Sequence, residues 1–204
     1  MILLGVTGSI AAYKAVEILR LFVKAGQDVH VVMTVTATRF VGPLTFQGLS
    51  GHPVYSDVLD PQAYQMVPPP AGERLIKPGG AGGGMAHLAL AEKADAVVVA
   101  PASAESLSEF ARGAAHDLVS ACVLSVPRTP DGKLKSPVFI VPAMHQSMWM
   151  HPATQANVTT LKSYGYEFIG PEKGPLGRVG DAGMGRMTDP QTIAEQILKR
   201  RARK

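Results

Sequence analysis

The chain has 204 residues, 46% hydrophobic and 18% charged, with a formal net charge of +4. That length suits one α/β domain with a sizeable core, and the composition excludes both a disordered chain and a surface-dominated helical one. The excess charge is weak evidence for nucleic-acid binding, because the terminal run Lys199 to Lys204 (KRRARK) accounts for it as a solvated basic tail. No apolar run reaches membrane-spanning length, and the N-terminus opens directly on a strand. The single cysteine, Cys122 in LVSACVL, can form no internal disulfide and reads as a buried core thiol. A cytoplasmic protein without a metal site is the expectation.

In chain order, Met1 to Val6 is a short apolar strand ended by Thr7, Gly8 and Ser9. Ala11 to Ala25 follows as a helix with Ala15, Ile18, Leu19, Phe22 and Val23 on its apolar face, stopped by Gly26. Val29 to Met33 is a second buried strand, completing a βαβ unit. Its turn is not G-x-G-x-x-G, and Thr34 and Thr36 stand where a dinucleotide fold carries an acid. A glycine, a serine and a helix N-terminus suit a monophosphate instead. The same residues also serve an ordinary turn and cap.

Pro43 marks a boundary within Ala37 to Ser50, and Val54 and Tyr55 predict a short edge strand. Asp60 to Gly84, rich in proline and glycine, reads as a flexible loop or lid. Met85 to Lys93 predicts a helix with His87 near its start, a position where histidine serves as cap, surface group or acid/base. Ala96 to Val99 is a buried strand, then Pro101, Ala102, Ser103 and Ala104 form a turn into a helix carrying Leu107, Phe110 and Ala111. Three strand ends therefore meet at one edge, where open parallel sheets bind ligands. They are those after Val6, Val99 and Val141.

Val119 to Val126 continues or follows that helix, with Asp117 available to bond local backbone and His116 at the surface. Val138 to Val141 is the next strand. PAMHQSMWMHPA then reads as a loop presenting Met144, Met148, Trp149 and Met150. Pro152 to Tyr164 predicts a helix and Glu167 to Ile169 a last strand. Residues 174–187 form a glycine-rich substrate flap, and Asp189 and Pro190 open a C-terminal helix.

Five stretches, GVTGSIAAYKA, VVMTVTATRFVGPLTFQGLSG, MAHLALAEKADAVVVAPASA, PAMHQSMWMHPATQANV and GDAGMGRMTDP, together resemble the homo-oligomeric flavin-containing cysteine decarboxylases. The closest resemblance is to the phosphopantothenoylcysteine decarboxylase branch. It implies an α/β, Rossmann-like three-layer domain with a mostly parallel sheet, binding FMN at a subunit contact in a homotrimer or dodecamer. Carried over by position, Gly8, Ser9, Ile10, Thr34 and Thr36 would hold the phosphate region. Ser103, Ala104, Glu105, Ser106 and Ala143 would lie against the flavin. His87 would be the catalytic histidine, with His145, Met148 and Met184 near a small-molecule or peptide thiol substrate.

Three positions depart from that pattern. His145 replaces an asparagine that grips the substrate carboxylate, Val179 replaces a cysteine that returns reducing equivalents, and Glu105 replaces a neutral amide. A carboxylate beside an anionic cofactor costs energy unless Glu105 turns away or pairs, for example with Arg112 or Arg186. Related flavoproteins of altered chemistry, such as flavin prenyl transferases, and a non-catalytic flavin-binding subunit remain the alternatives.

Overall fold

The computed structural model describes residues 1–58, 86–178 and 180–201. The expected lid at 60–84 lies outside the described residues. Five parallel strands form a sheet in the order β2-β1-β3-β4-β5. They are β1 (Ile2–Val6), β2 (Val29–Met33), β3 (Ala96–Ala102), β4 (Val138–Pro142) and β5 (Glu167–Phe168). The first four are rich in valine, isoleucine and leucine and are buried along almost their whole length, as a sheet covered on both faces requires.

Two apolar cores flank the sheet, giving the expected three layers. On one face lie α1 (Ala12–Lys24), α2 (Pro43–Ser50) and α8 (Pro190–Arg201), packed through Ile18, Phe22, Phe46, Ile193 and Ile197. On the other lie α3 (Ala86–Lys93), α4 (Ala104–Arg112), α5 (Leu118–Leu124) and α7 (Pro152–Ser163). Leu90, Leu107, Phe110, Leu118 and Leu161 carry that second core. The chain moves from β1 outward to β2, then returns past β1 to β3. The switch point therefore falls between β1 and β3, where a crevice opens at the strand ends.

Several boundaries differ from the sequence expectation. β3 runs on through Pro101 to Ala102, because Ala102 pairs with Pro142 beyond a register shift. Val23 is exposed; the inward face of α1 is completed at its start by Ala12 instead. Tyr55 makes a single bridge to Val32 rather than a strand. α5 is separate from α4, since Gly113 ends α4 in the left-handed region and Asp117 starts α5 with a capping box to Ser120.

PAMHQSMWMHPA is also more ordered than a loop: it contains a helical turn, α6 (Gln146–Trp149). The flap is an antiparallel hairpin of β6 (Glu172–Pro175) and β7 (Ala182–Arg186). The basic terminal run is only partly solvated, because Arg200 pairs with Glu167 at 2.7 Å and Arg201 with Asp95 at 3.1 Å. Among the described residues, no helix is long and apolar enough to cross a membrane.

Candidate active site at the switch point

The edge is knitted together by short side chains. Thr7 donates its hydroxyl to the Pro101 carbonyl at 2.8 Å and accepts the Ser103 N–H at 2.9 Å, joining the ends of β1 and β3. Ser9 donates to the Ala143 carbonyl at 3.3 Å, reaching the end of β4. Gly8 has to be glycine, since a Cβ there would stand 2.5 Å from the Thr36 methyl. Thr34 caps the following turn by accepting the Ala37 N–H, whereas Thr36 is exposed.

α1 starts at this edge with Ala11 as its N-cap, which makes no side-chain capping bond; Ser9 instead accepts the Ala11 N–H on its hydroxyl at 3.3 Å and the Ala12 N–H on its carbonyl at 2.9 Å. Ser103 caps α4 by accepting the Ser106 N–H at 3.2 Å. Glu105 stands in the first turn of α4, exposed and favourably placed in the helix dipole. Arg112 bonds Ser108 and Arg186 pairs with Glu172 and Asp189, so neither takes the role of partner to Glu105.

Beside this edge the hairpin covers a cleft of about 780 Å³. Its floor is Ser9, Ile10, Ala143, Met144 and His145, and its roof is Pro175 to Arg178 with Gly185 to Met187. The roof is tied down at two points: the Met144 N–H donates to the Gly185 carbonyl at 3.1 Å, and the Met184 N–H donates to Gln146 Oε1 at 2.9 Å. Such contact leaves no room for side chains, as Cβ atoms at Gly183 and Gly185 would come within 2.0 and 2.1 Å of Gln146 Oε1 and the Met144 carbonyl.

His145 has a definite local role. Its Nδ1 accepts the Ser147 N–H at 3.2 Å as the N-cap of α6. The ring proton then belongs on Nε2, which faces Asp181 Oδ2 of the hairpin loop at 3.5 Å. Histidine thus performs the capping that asparagine also performs, and adds a contact to the roof.

Four of the expected residues, Ser9, Ile10, Ala143 and His145, line the cleft directly. Ser103, Ala104, Glu105 and Ser106 stand at the end of β3 and the start of α4, and Met148 is half exposed on α6; none of them lines the cleft. Tyr13, Lys14, Arg178 and Arg186 also line it and were not expected there. The signal shared by Lys14, Arg178 and Arg186 is positive charge at the first helix and the flap, and Tyr13 adds an exposed aromatic ring.

His87 is placed elsewhere: it stands in the first turn of α3, on the opposite face of the sheet from α1. Its Nδ1 is buried with no hydrogen-bond partner among the described residues, and burial lowers its pKa from the usual histidine value. An unprotonated imidazole with an unpaired nitrogen can accept a proton or a hydrogen bond from outside.

A doubly wound parallel sheet with a glycine-serine turn and a helix N-terminus at its switch point defines an α/β domain built to bind a phosphate-bearing ligand. The chain belongs to the Flavoprotein family, whose model matches residues 1–202. It is 39% identical to a probable phosphopantothenoylcysteine decarboxylase of Streptococcus mutans over 96% of both chains. It is also 41% identical to the coenzyme A biosynthesis bifunctional protein CoaBC of Haemophilus influenzae over 94% of this chain. It spans 41% of the length of that relative. The fold is similar to that of a PPC decarboxylase mutant complexed with pantothenoylaminoethenethiol, with a TM-score of 0.78 at 26% identity, covering 97% of this chain and 96% of the other.

Proposed function

We propose that the chain is an FMN-dependent decarboxylase acting on a cysteine-derived thiol carboxylate of the phosphopantothenoylcysteine type, in the cytoplasm. The observation that carries this reading is the pairing of a close glycine-serine turn at the switch point with a cleft lined by Lys14, Arg178 and Arg186 and roofed by a glycine hairpin. The donor set fits FMN: Gly8, Ser9 and Ile10 at the start of α1, with Thr34 and Thr36, would hold the phosphate. The backbone and small side chains of Ser103 to Ser106 and Ala143 would border the ring. Bound FMN supplies a two-electron oxidation at the thiol-bearing end of the substrate.

The chain's own residues do the rest. Lys14, Arg178 and Arg186 draw an anionic substrate into the cleft. The hairpin excludes water, and the backbone between Met144 and His145 orients the substrate's carboxylate end. With its lowered pKa, His87 is neutral at pH 7 and suited to take a proton from the thiol.

Because His87 lies on the far face of its own sheet, a second copy is proposed to bring it to the site, in a homotrimer that could assemble further to a dodecamer. Ile10, Tyr13, Val35, Phe40 and Leu44 are at least half exposed around the same edge, as a head-to-tail contact between copies would need.

The test is the absorbance spectrum of the purified protein, identification of the released chromophore, and carbon dioxide release from phosphopantothenoylcysteine or a C-terminal cysteine peptide. A flavin spectrum with turnover of either substrate is the expected result. A protein that binds no FMN, or one loaded with FMN that releases no carbon dioxide from either, overturns the proposal.

A further inference from the structure

At the end of β2 away from the cleft, three side chains converge on one point. Asp28 and His30 are two residues apart, so the alternation of an extended chain puts them on one face. His52 arrives from the turn after α2, which Gly51 closes in the left-handed region with φ 74°. Ser50 holds that turn, donating its hydroxyl to the His52 carbonyl at 3.2 Å and accepting the His52 N–H at 3.1 Å.

The two imidazoles stack with centroids 4.0 Å apart and planes 18° from parallel. One carboxylate oxygen, Asp28 Oδ1, lies 2.8 Å from His52 Nε2 and 3.5 Å from His30 Nε2. The three atoms fall within 4.8 Å of one another.

We propose that Asp28, His30 and His52 form a binding site for a divalent transition-metal ion of the zinc type, with water completing its shell. Two imidazole nitrogens and one carboxylate oxygen suit zinc, cobalt, nickel or copper, and suit the oxygen-seeking magnesium and calcium poorly. Ligand bonds of about 2.0–2.1 Å in a tetrahedron place the donor atoms about 3.3 Å apart, and the observed distances to Asp28 Oδ1 bracket that value.

Stacked rings have parallel lone pairs, so one ring has to turn inward on binding. His52 is the freer, with its side chain 37% exposed against 15% for His30.

Affinity is limited by a missing support. A ligating histidine normally donates its other N–H to a carbonyl or carboxylate, and loss of that partner costs roughly 10–100-fold in metal affinity. His30 Nδ1 is buried with no such partner among the described residues. Micromolar rather than tighter binding is therefore expected. Bound metal would fasten the exit of α2 to the start of β2, a structural role remote from the cleft.

The experiment is a titration of the chelator-stripped, untagged protein with cobalt(II), followed by zinc competition. Visible d–d bands saturating at one equivalent are expected, with His52→Ala and Asp28→Asn each weakening binding at least tenfold. Zinc in hundredfold excess over its dissociation constant should raise the melting temperature of the parent by roughly 5–10 °C, and that of each variant by at most about half as much at the same zinc concentration. Circular dichroism and the flavin spectrum of the variants should match the parent. No cobalt bands at millimolar metal, or bands that saturate in both variants at the same cobalt concentration as in the parent, would overturn the assignment.

Discussion

Cys122 is almost wholly buried in α5, and burial together with the nearby Asp117 charge pushes its thiol up to about 12. It is therefore a protonated core group at any physiological pH, and no other cysteine exists in the chain. Iodoacetamide is expected to leave the native protein unmodified at pH 8 and to label one site after unfolding; rapid native labelling would contradict the packing.

His145 permits a second test at this scale. His145→Asn keeps an N-cap and should leave stability nearly unchanged, whereas His145→Ala should cost about 1 kcal/mol. Both lose the contact to Asp181, so both should raise KM if that contact positions the roof. Equal melting temperatures for the alanine and asparagine variants would remove the capping explanation.

Among the elements, α4 carries a tension within the second core. Glu109 is buried, and its pKa is raised first by burial and then by the Asp117 and Glu105 charges, against relief from His116 and Arg112. With its folded value above the ordinary 4.5, the folded state binds more protons than the unfolded state in the window just above pH 4.5. Stability contributed by the protonated form is full below that window and falls as pH rises through it. Glu109→Gln is accordingly expected to stabilise the protein at pH 7, with the gain shrinking as pH falls through that window and levelling off below pH 4.5; a gain independent of pH would point to packing instead.

The hairpin gives a steric counterpart. Gly185 has φ 130° and touches the Met144 carbonyl, so Gly185→Ala should cost about 2–3 kcal/mol in local strain. Proteolysis of the hairpin at temperatures where the parent resists would report it.

For the whole molecule, the separation of His87 from the cleft makes a mixing experiment decisive. His87→Asn and Ser9→Asp chains, each inactive alone, should recover part of the activity when refolded together, because a mixed assembly contains intact pairs of cleft and histidine. No recovery despite demonstrated mixing would place both groups in one subunit.

Such long-range facts explain what the sequence could carry. The apolar run of VHVVM, the apolar stripe of α1 and the turn GSI are local, and they marked the sheet and its edge correctly. The exposure of Glu105 depends on where the first turn of α4 meets solvent. The convergence of Asp28, His30 and His52 depends on how α2 exits against β2, which no spacing encodes. Val23 was misplaced for a similar reason, since a helical stripe says which residues are apolar and not where the neighbouring layer ends. Lys14, Arg178 and Arg186 became partners only once the hairpin folded back over α1.

Both fastenings of the hairpin end on the stretch from Met144 to Gln146, which also carries His145. The roof and the imidazole consequently share one mechanical coordinate: lifting the hairpin breaks the hydrogen bonds to Met144 and Gln146 and withdraws Asp181 from the ring. Movement of the roof is therefore felt only on the Nε2 side of the imidazole, while Ser147 keeps hold of its Nδ1 side.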